Sequence, residues 1–251
     1  MCELFGFSAA DDTDITGYLR TFFSHSEKNP HGWGMMYGSE RSIVRGAERA
    51  SDSGVLGSLL NELRPQKTVL AHIRFATVGA IKPENCHPFT AADISGRVWT
   101  MIHNGTIYSG GETYRYIGRQ TGETDSERLF LAFIDRMNSH LAQGDMTESR
   151  RFDIVNGFIT ENAPRNKLNL IICDGELLYV HKNMKNTLSY KTVGGSIIIA
   201  TVPLDDDEWT PFPMAQVKAF RAGREVYAGE PHNGIFVPTL EYISALDAMH
   251  I

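Results

Sequence analysis

The first seven residues, MCELFGF, constrain this chain more than any other stretch. Apolar and aromatic side chains begin at the second position and run until the polar segment AADDTD, so CELFGFS reads as a short buried strand that starts at the terminus itself. A fold built on such a strand has to bury its own beginning, and Cys2 is anchored with it. A cysteine next to the initiator methionine is also small enough for an aminopeptidase to remove Met1, which would leave an α-amine and a thiol on one residue. An α-amine has an ordinary pKa of about 7.7 to 8.0 and can take the thiol proton at neutral pH, directly or through a water, without a histidine base. Taken alone, a cysteine in a first strand is a small buried hydrophobe. Its place in the chain is what raises the catalytic reading.

Composition narrows the alternatives. With 251 residues, 42% of them hydrophobic and 22% charged, the chain can build a sizeable core and has no low-complexity tract. A formal net charge of −6, with Lys and Arg scattered, gives no basic face for nucleic acid. Cys2, Cys86 and Cys173 are odd in number and widely spaced, which argues against a disulfide framework and against a structural zinc site. There is no basic leader and no apolar run long enough to span a membrane, so the expected setting is a reducing cytoplasm.

Helical periodicity joins Ile15, Leu19, Phe22 and Phe23, and again Val55, Leu56, Leu59, Leu60 and Leu63 behind an N-cap at Ser51. GMMYG and RSIVRG read as strands joined by a turn, and KTVLAHIRF (67 to 75) and RVWTMIH (97 to 103) as buried strands with polar ends. Thr124 to Glu127 has the form of a capping box before Leu129, Phe130, Phe133, Ile134 and Met137, predicting a helix to about Gln143. The latter half reads as strands: LNLIIC, a hairpin turn at Asp174-Gly175, LLYVHK, GGSIIIATV and GIFVP. Strands flanked by helices without strict alternation suggest α+β layers. LDDDEWTPFP (204 to 213) is the only stretch resembling a loop or boundary.

Five places could carry chemistry, and each has a plainer explanation. Beyond Cys2, Arg74 ends a strand; an exposed ion pair is the common role there, but its planar fork also suits a carboxylate. His103-Asn104-Gly105 contains the strongest hairpin dipeptide, yet an Asn104 amide and a Gly105 N–H aimed at one point would form an oxyanion hole. Asp125 suits a first helical turn through the dipole, and would equally hold an ammonium group. His87, stiffened before Pro88, reads as a loop histidine. Together they complement one ligand, an amino acid with a side-chain amide. A metallohydrolase built on His25, His31, His72, His87 and His103 is disfavoured, because no pair has the spacing of zinc ligands with an acid between.

In this order, MCELFGF, HGWGMMYG, HIRFATVG, NCHPF, IHNGTI and ETDSERL resemble the glutaminase domain of class II glutamine amidotransferases, and its stand-alone members most closely. The resemblance implies an α+β fold, the four-layer αββα sandwich of N-terminal-nucleophile hydrolases, as a single domain over residues 2–251. It implies hydrolysis of glutamine to glutamate and ammonia through a thioester on Cys2, with no cofactor and no metal. Asn104 and Gly105 would form the oxyanion hole, Arg74 would bind the α-carboxylate and Asp125 the α-ammonium. Thr77 and His87 would line the pocket, and the loop from about Phe75 to Lys82 would cover the substrate. The sequence departs from the sugar-phosphate members at Phe75 and Val78, where they carry Trp and His, and HGWG leaves His31 and Trp33 without assigned roles. No synthase domain follows, so the acceptor would belong to a separate protein or be a small molecule. A close alternative hydrolyses a different γ-glutamyl amide and transfers nothing, and from another class the alternative is a catalytically inactive glutamine sensor or scaffold.

Overall fold

The computed structural model describes residues 1–239; residues 240–251 of the domain expected over 2–251 lie outside them. The strands are β1 (Glu3–Thr13), β2 (Trp33–Tyr37), β3 (Ser42–Gly46), β4 (Gln66–Ile73), β5 (Phe89–Ala92), β6 (Val98–Thr106) and β7 (Lys167–Cys173). They continue with β8 (Leu178–His181), β9 (Ser189–Val193), β10 (Ser196–Ala200), β11 (Thr210–Pro211), β12 (Lys218–Arg221) and β13 (Arg224–Ala228). The helices are α1 (Thr16–Ser24), α2 (Gly54–Glu62), α3 (Asp125–Leu141) and α4 (Glu148–Asn162). One sheet has the order β11-β9-β10-β1-β4-β2-β3 and the other β13-β12-β8-β7-β6-β5. Their pairings are antiparallel.

Strand alternation sorts the side chains into layers. Phe5, Phe7, Val69 and Ala71 pack with Leu19 and Phe22 of α1 and with Leu56 and Leu60 of α2. The opposite faces of the same strands, through Leu4 and Leu70, meet Ile102, Ile171 and Val180 of the second sheet. Beyond that sheet, Trp99, Met101 and Leu170 pack with Leu129 and Phe133 of α3 and with Phe152, Val155 and Phe158 of α4. The result is the expected αββα sandwich, with β1 in the interior of its sheet.

Several elements differ from the sequence reading. β1 runs on through the polar AADDT, with its pairing to β4 shifted between Ser8 and Thr13. The cap of α2 is Ser53, whose hydroxyl accepts from the Leu56 amide at 3.4 Å; Ser51 lies in the preceding short 3-10 turn. Thr124 caps α3 as expected, but Glu127 does not reach back to it. Its carboxylate instead accepts the Thr121 and Gly122 amides, each at 2.7 Å. α4 has no counterpart in the sequence reading, although Phe152, Val155, Phe158 and Ile159 form its buried stripe behind a Thr147 cap. The β7–β8 turn is centred on Gly175-Glu176, since the Asp174 amide donates to the Leu177 carbonyl. GIFVP is not a strand; it is held as a strap, with the Phe236 amide donating to the Asn183 carbonyl. Asn104-Gly105 is no turn either, because both residues lie inside β6, opposite Asn169 and Leu168 of β7. Among the described residues, no helix is long and apolar enough to cross a membrane.

Candidate active site

Glu3 pairs with Ile73, so Cys2 and Arg74 follow one step further along β1 and β4, at the same end of the sheet. The half-buried Cys2 thiol meets the backbone of Phe75: the Phe75 amide donates to Sγ at 3.2 Å and its carbonyl lies 3.4 Å away. The chain's α-amine, on Met1, donates to Asn29 Oδ1 at 3.1 Å. Asn29 in turn donates to Glu3 Oε1 at 3.3 Å, and Glu3 Oε2 meets His25 Nδ1 at 2.8 Å. Burial holds this amine below its ordinary pKa; Lys167 adds to that effect, while Cys2 and Glu3 oppose it.

On the facing sheet, β6 turns Ile102 toward the sheet interface. Asn104, two residues on, shares that side. Its Oδ1 accepts from Lys167 Nζ at 3.0 Å and its backbone carbonyl accepts from Asn169 Nδ2 at 3.1 Å. Its Nδ2 is buried and, among the described residues, has no hydrogen-bond partner. Leaving such a donor unmatched costs about 1–3 kcal/mol. Gly105 is required by close approach, since a β-carbon there would collide with the Lys167 carbonyl and with His103 Nε2. His103 faces the other way: its Nε2 donates to the Lys167 carbonyl, and its Nδ1 accepts from Ser126 Oγ of α3.

Arg74 is buried, and its fork is occupied. Nη1 donates to the carbonyls of His31 (3.4 Å) and Ala80 (3.1 Å), and Nη2 to those of Val78 (2.9 Å) and Gly79 (3.0 Å). The guanidinium therefore folds the 75–82 loop back over the strand end. To bind a substrate carboxylate it must exchange one or more of these carbonyls. His31 acquires a role here, because its Nδ1 accepts the Ala76 amide at 3.0 Å and its ring packs on Phe75 at 5.1 Å. Burial, then the charge of Arg74, lowers the His31 pKa and keeps that acceptor neutral. The far end of the loop is pinned by Glu123, which accepts the Ala80 amide at 2.8 Å and pairs with Lys82 at 2.9 Å. Thr77 is exposed on this loop.

Asp125 is buried at the start of α3, where Oδ2 accepts the Ile107 amide at 2.7 Å and Oδ1 the Ser126 amide at 2.9 Å. His87 lies against the imidazole of His72 (4.2 Å) and Phe89 (4.6 Å), and both His87 ring nitrogens are without partners among the described residues. Burial keeps the pair neutral, with His72 lowered to about 3. Trp33 is buried, its Nε1 donating to Glu48 at 3.0 Å. Thus Arg74 sits next to the thiol through Phe75, and Asn104 and Gly105 are linked to the terminus through Lys167. Asp125 and His87 stand with their own backbone and aromatic partners.

Sequence reasoning missed Lys167, Asn29 and Glu3. For Lys167 a signal existed: in KLNLIIC, Lys167 and Asn169 alternate with leucines in a strand whose seven residues are all buried. Asn29 lies in a loop with no periodicity and left none.

The two packed antiparallel sheets, the outer helices and a thiol at the head of an interior strand make this an N-terminal-nucleophile hydrolase fold. A solved structure titled "Structure of the allosteric regulatory enzyme of purine biosynthesis" superposes with a TM-score of 0.68 at 15% identity, over 93% of this chain and 50% of that one. A "predicted glutamine amidotransferase from Pseudomonas aeruginosa PA01" superposes with a TM-score of 0.61 at 22% identity, over 90% of this chain and all of that one. The family model for class-II glutamine amidotransferases matches residues 1–193, so the chain belongs to that family. It is 30% identical over 217 residues to "Putative glutamine amidotransferase YafJ" of Escherichia coli (strain K12), covering 82% of each chain.

Proposed function

We propose that the protein cleaves the side-chain amide of glutamine, or of a related γ-glutamyl amide, through a thioester on Cys2. Ammonia released in this way would pass to an acceptor that is a small molecule or is held by a separate chain. The observation that supports the reading is the unmatched Nδ2 of Asn104, a buried donor on the residue that Lys167 links to the N-terminus. Removal of Met1 frees the backbone nitrogen of Cys2 as an α-amine, which takes the thiol proton. Sγ then bonds to the amide carbon, while Asn104 Nδ2 and the Gly105 N–H receive the negative oxygen. The carbon–nitrogen bond breaks, the proton held by the amine leaves with the nitrogen as ammonia, and water cleaves the thioester to a carboxylate and the free thiol. Arg74 and Asp125 supply the cation and anion for the amino-acid end, and Thr77 and His87 bound the pocket. The 75–82 loop excludes water during the covalent stage.

Intact mass and turnover test this together. Active protein is expected to lack Met1, Cys2→Ala to abolish glutamate release, and Cys86→Ala to retain most of it. Cys86 is suited to that control, because burial raises its thiol pKa to about 11 and its Sγ is engaged with the Gly46 carbonyl. Equal losses in the two variants would remove Cys2 from the mechanism. A silent glutamine sensor is favoured by one observation, the seating of the Met1 amine on Asn29. Glutamine binding by protein that keeps Met1 and releases no glutamate would establish that reading instead.

A further inference from the structure

Lys167 opens β7 and is 3% exposed, yet among the described residues it pairs with no carboxylate. A buried ammonium without a counter-ion is costly. Its hydrogen-bond partners are Asn104 Oδ1 at 3.0 Å and the Met1 thioether at 3.2 Å. The first contact settles the orientation of Asn104: an ammonium only donates, so the amide atom facing it must be the oxygen. Nδ2 is thereby turned the other way, into the position where it has no partner. The second contact disappears with Met1, leaving the ammonium on Asn104 Oδ1 and near enough to Cys2 for their charges to interact.

We propose that Lys167 is a positioning residue of this site, its ammonium locking Asn104 with Nδ2 toward the developing oxyanion and placing positive charge beside the Cys2 thiol. The inference rests on the reading of Cys2 as an amide-cleaving nucleophile. No proton of Lys167 is transferred. Burial lowers its pKa to about 8, with Cys2 acting in the opposite direction.

The test uses the processed full chain and two variants. Lys167→Met removes the donor and the charge; kcat for glutamate release is expected to fall by at least about tenfold, with KM held within about threefold. The pH midpoint for alkylation of Cys2 by iodoacetamide, read on the N-terminal peptide, is expected to rise by about one unit or more. Lys167→Gln keeps an N–H for Asn104 Oδ1 without the charge. It should recover part of kcat but none of the alkylation shift, and it carries the test if the Met variant does not fold. A folded Met variant with native kcat, a loss confined to KM, or an unmoved alkylation profile overturns the proposal. Alkylation requires no turnover, so Lys167 is judged even if the native protein releases glutamate from no γ-glutamyl amide, an outcome that would sink the catalytic reading by itself.

Discussion

Arg74 shows how a residue can be legible in sequence while its working state is not. Strand-end position and the chemistry of a planar fork made it a candidate, but nothing in HIRFATVG shows that four of its hydrogen bonds go to backbone carbonyls. Those partners are fixed by the path of the following loop, a property of the whole turn. Replacement by lysine keeps the charge but concentrates three donors at one point, so the loop loses its splayed clamp. Arg74→Lys is expected to raise KM for glutamine about tenfold or more with a smaller change in kcat, as steady-state kinetics would show. An unchanged KM would detach Arg74 from substrate binding. Asn104 illustrates the opposite case, because an Asn-Gly pair is so strong a turn signal that local chemistry alone favoured the wrong backbone. The β7 strand overrides it by pairing along the whole dipeptide.

Among the elements, those with a long apolar period were readable, and those defined by partners far along the chain were not. β2, β4, β7 and α3 appear close to where their patterns place them. α4 has a regular stripe but a weak signature, because polar residues outnumber apolar ones along ESRRFDIVNGFITEN. The polar extension of β1 has no hydrophobic signature at all; it continues because β4 offers Gln66 as a partner to Thr13. Gly34 of β2 marks another contact invisible to periodicity, the seat of the 85–88 segment against the first sheet. A β-carbon there would collide with the His87 carbonyl oxygen. Gly34→Ala should destabilise the fold by about 1–3 kcal/mol, measured as a lower urea midpoint. Because Asn85 of the same segment holds the Ala80 carbonyl at 2.9 Å, KM should rise as well. A variant with native stability would show that the segment yields freely.

For the molecule as a whole, buried histidines set the response to acid. Burial lowers His72 and His181 to about 3, and lowers His87 and His103 in the same direction. In the unfolded chain such groups titrate near pH 6.5, so the unfolded state binds more protons and stability increases with pH. Their contribution is complete above about pH 6.5 and is lost progressively as pH falls, for His72 and His181 down to about 3. His25 runs the other way: its bond to Glu3 raises its pKa, giving stabilisation below about pH 6.5 that disappears as pH climbs through the raised value. Urea unfolding at about pH 7.5 and about pH 5 should show stability falling on the acid side by about 1.4 kcal/mol per pH unit for each fully buried histidine. A flat profile would contradict neutral burial of these rings. The interior position of β1 has a further consequence, in time rather than space. Its two neighbours are residues 66–73 and 196–200, so its second edge is completed only after most of the described residues have been made. Once it docks, the initiator residue is wedged between Asn29 and Lys167. If Cys2 acts as proposed, Met1 is expected to leave before β1 docks, because the folded chain holds it on Asn29 and Lys167.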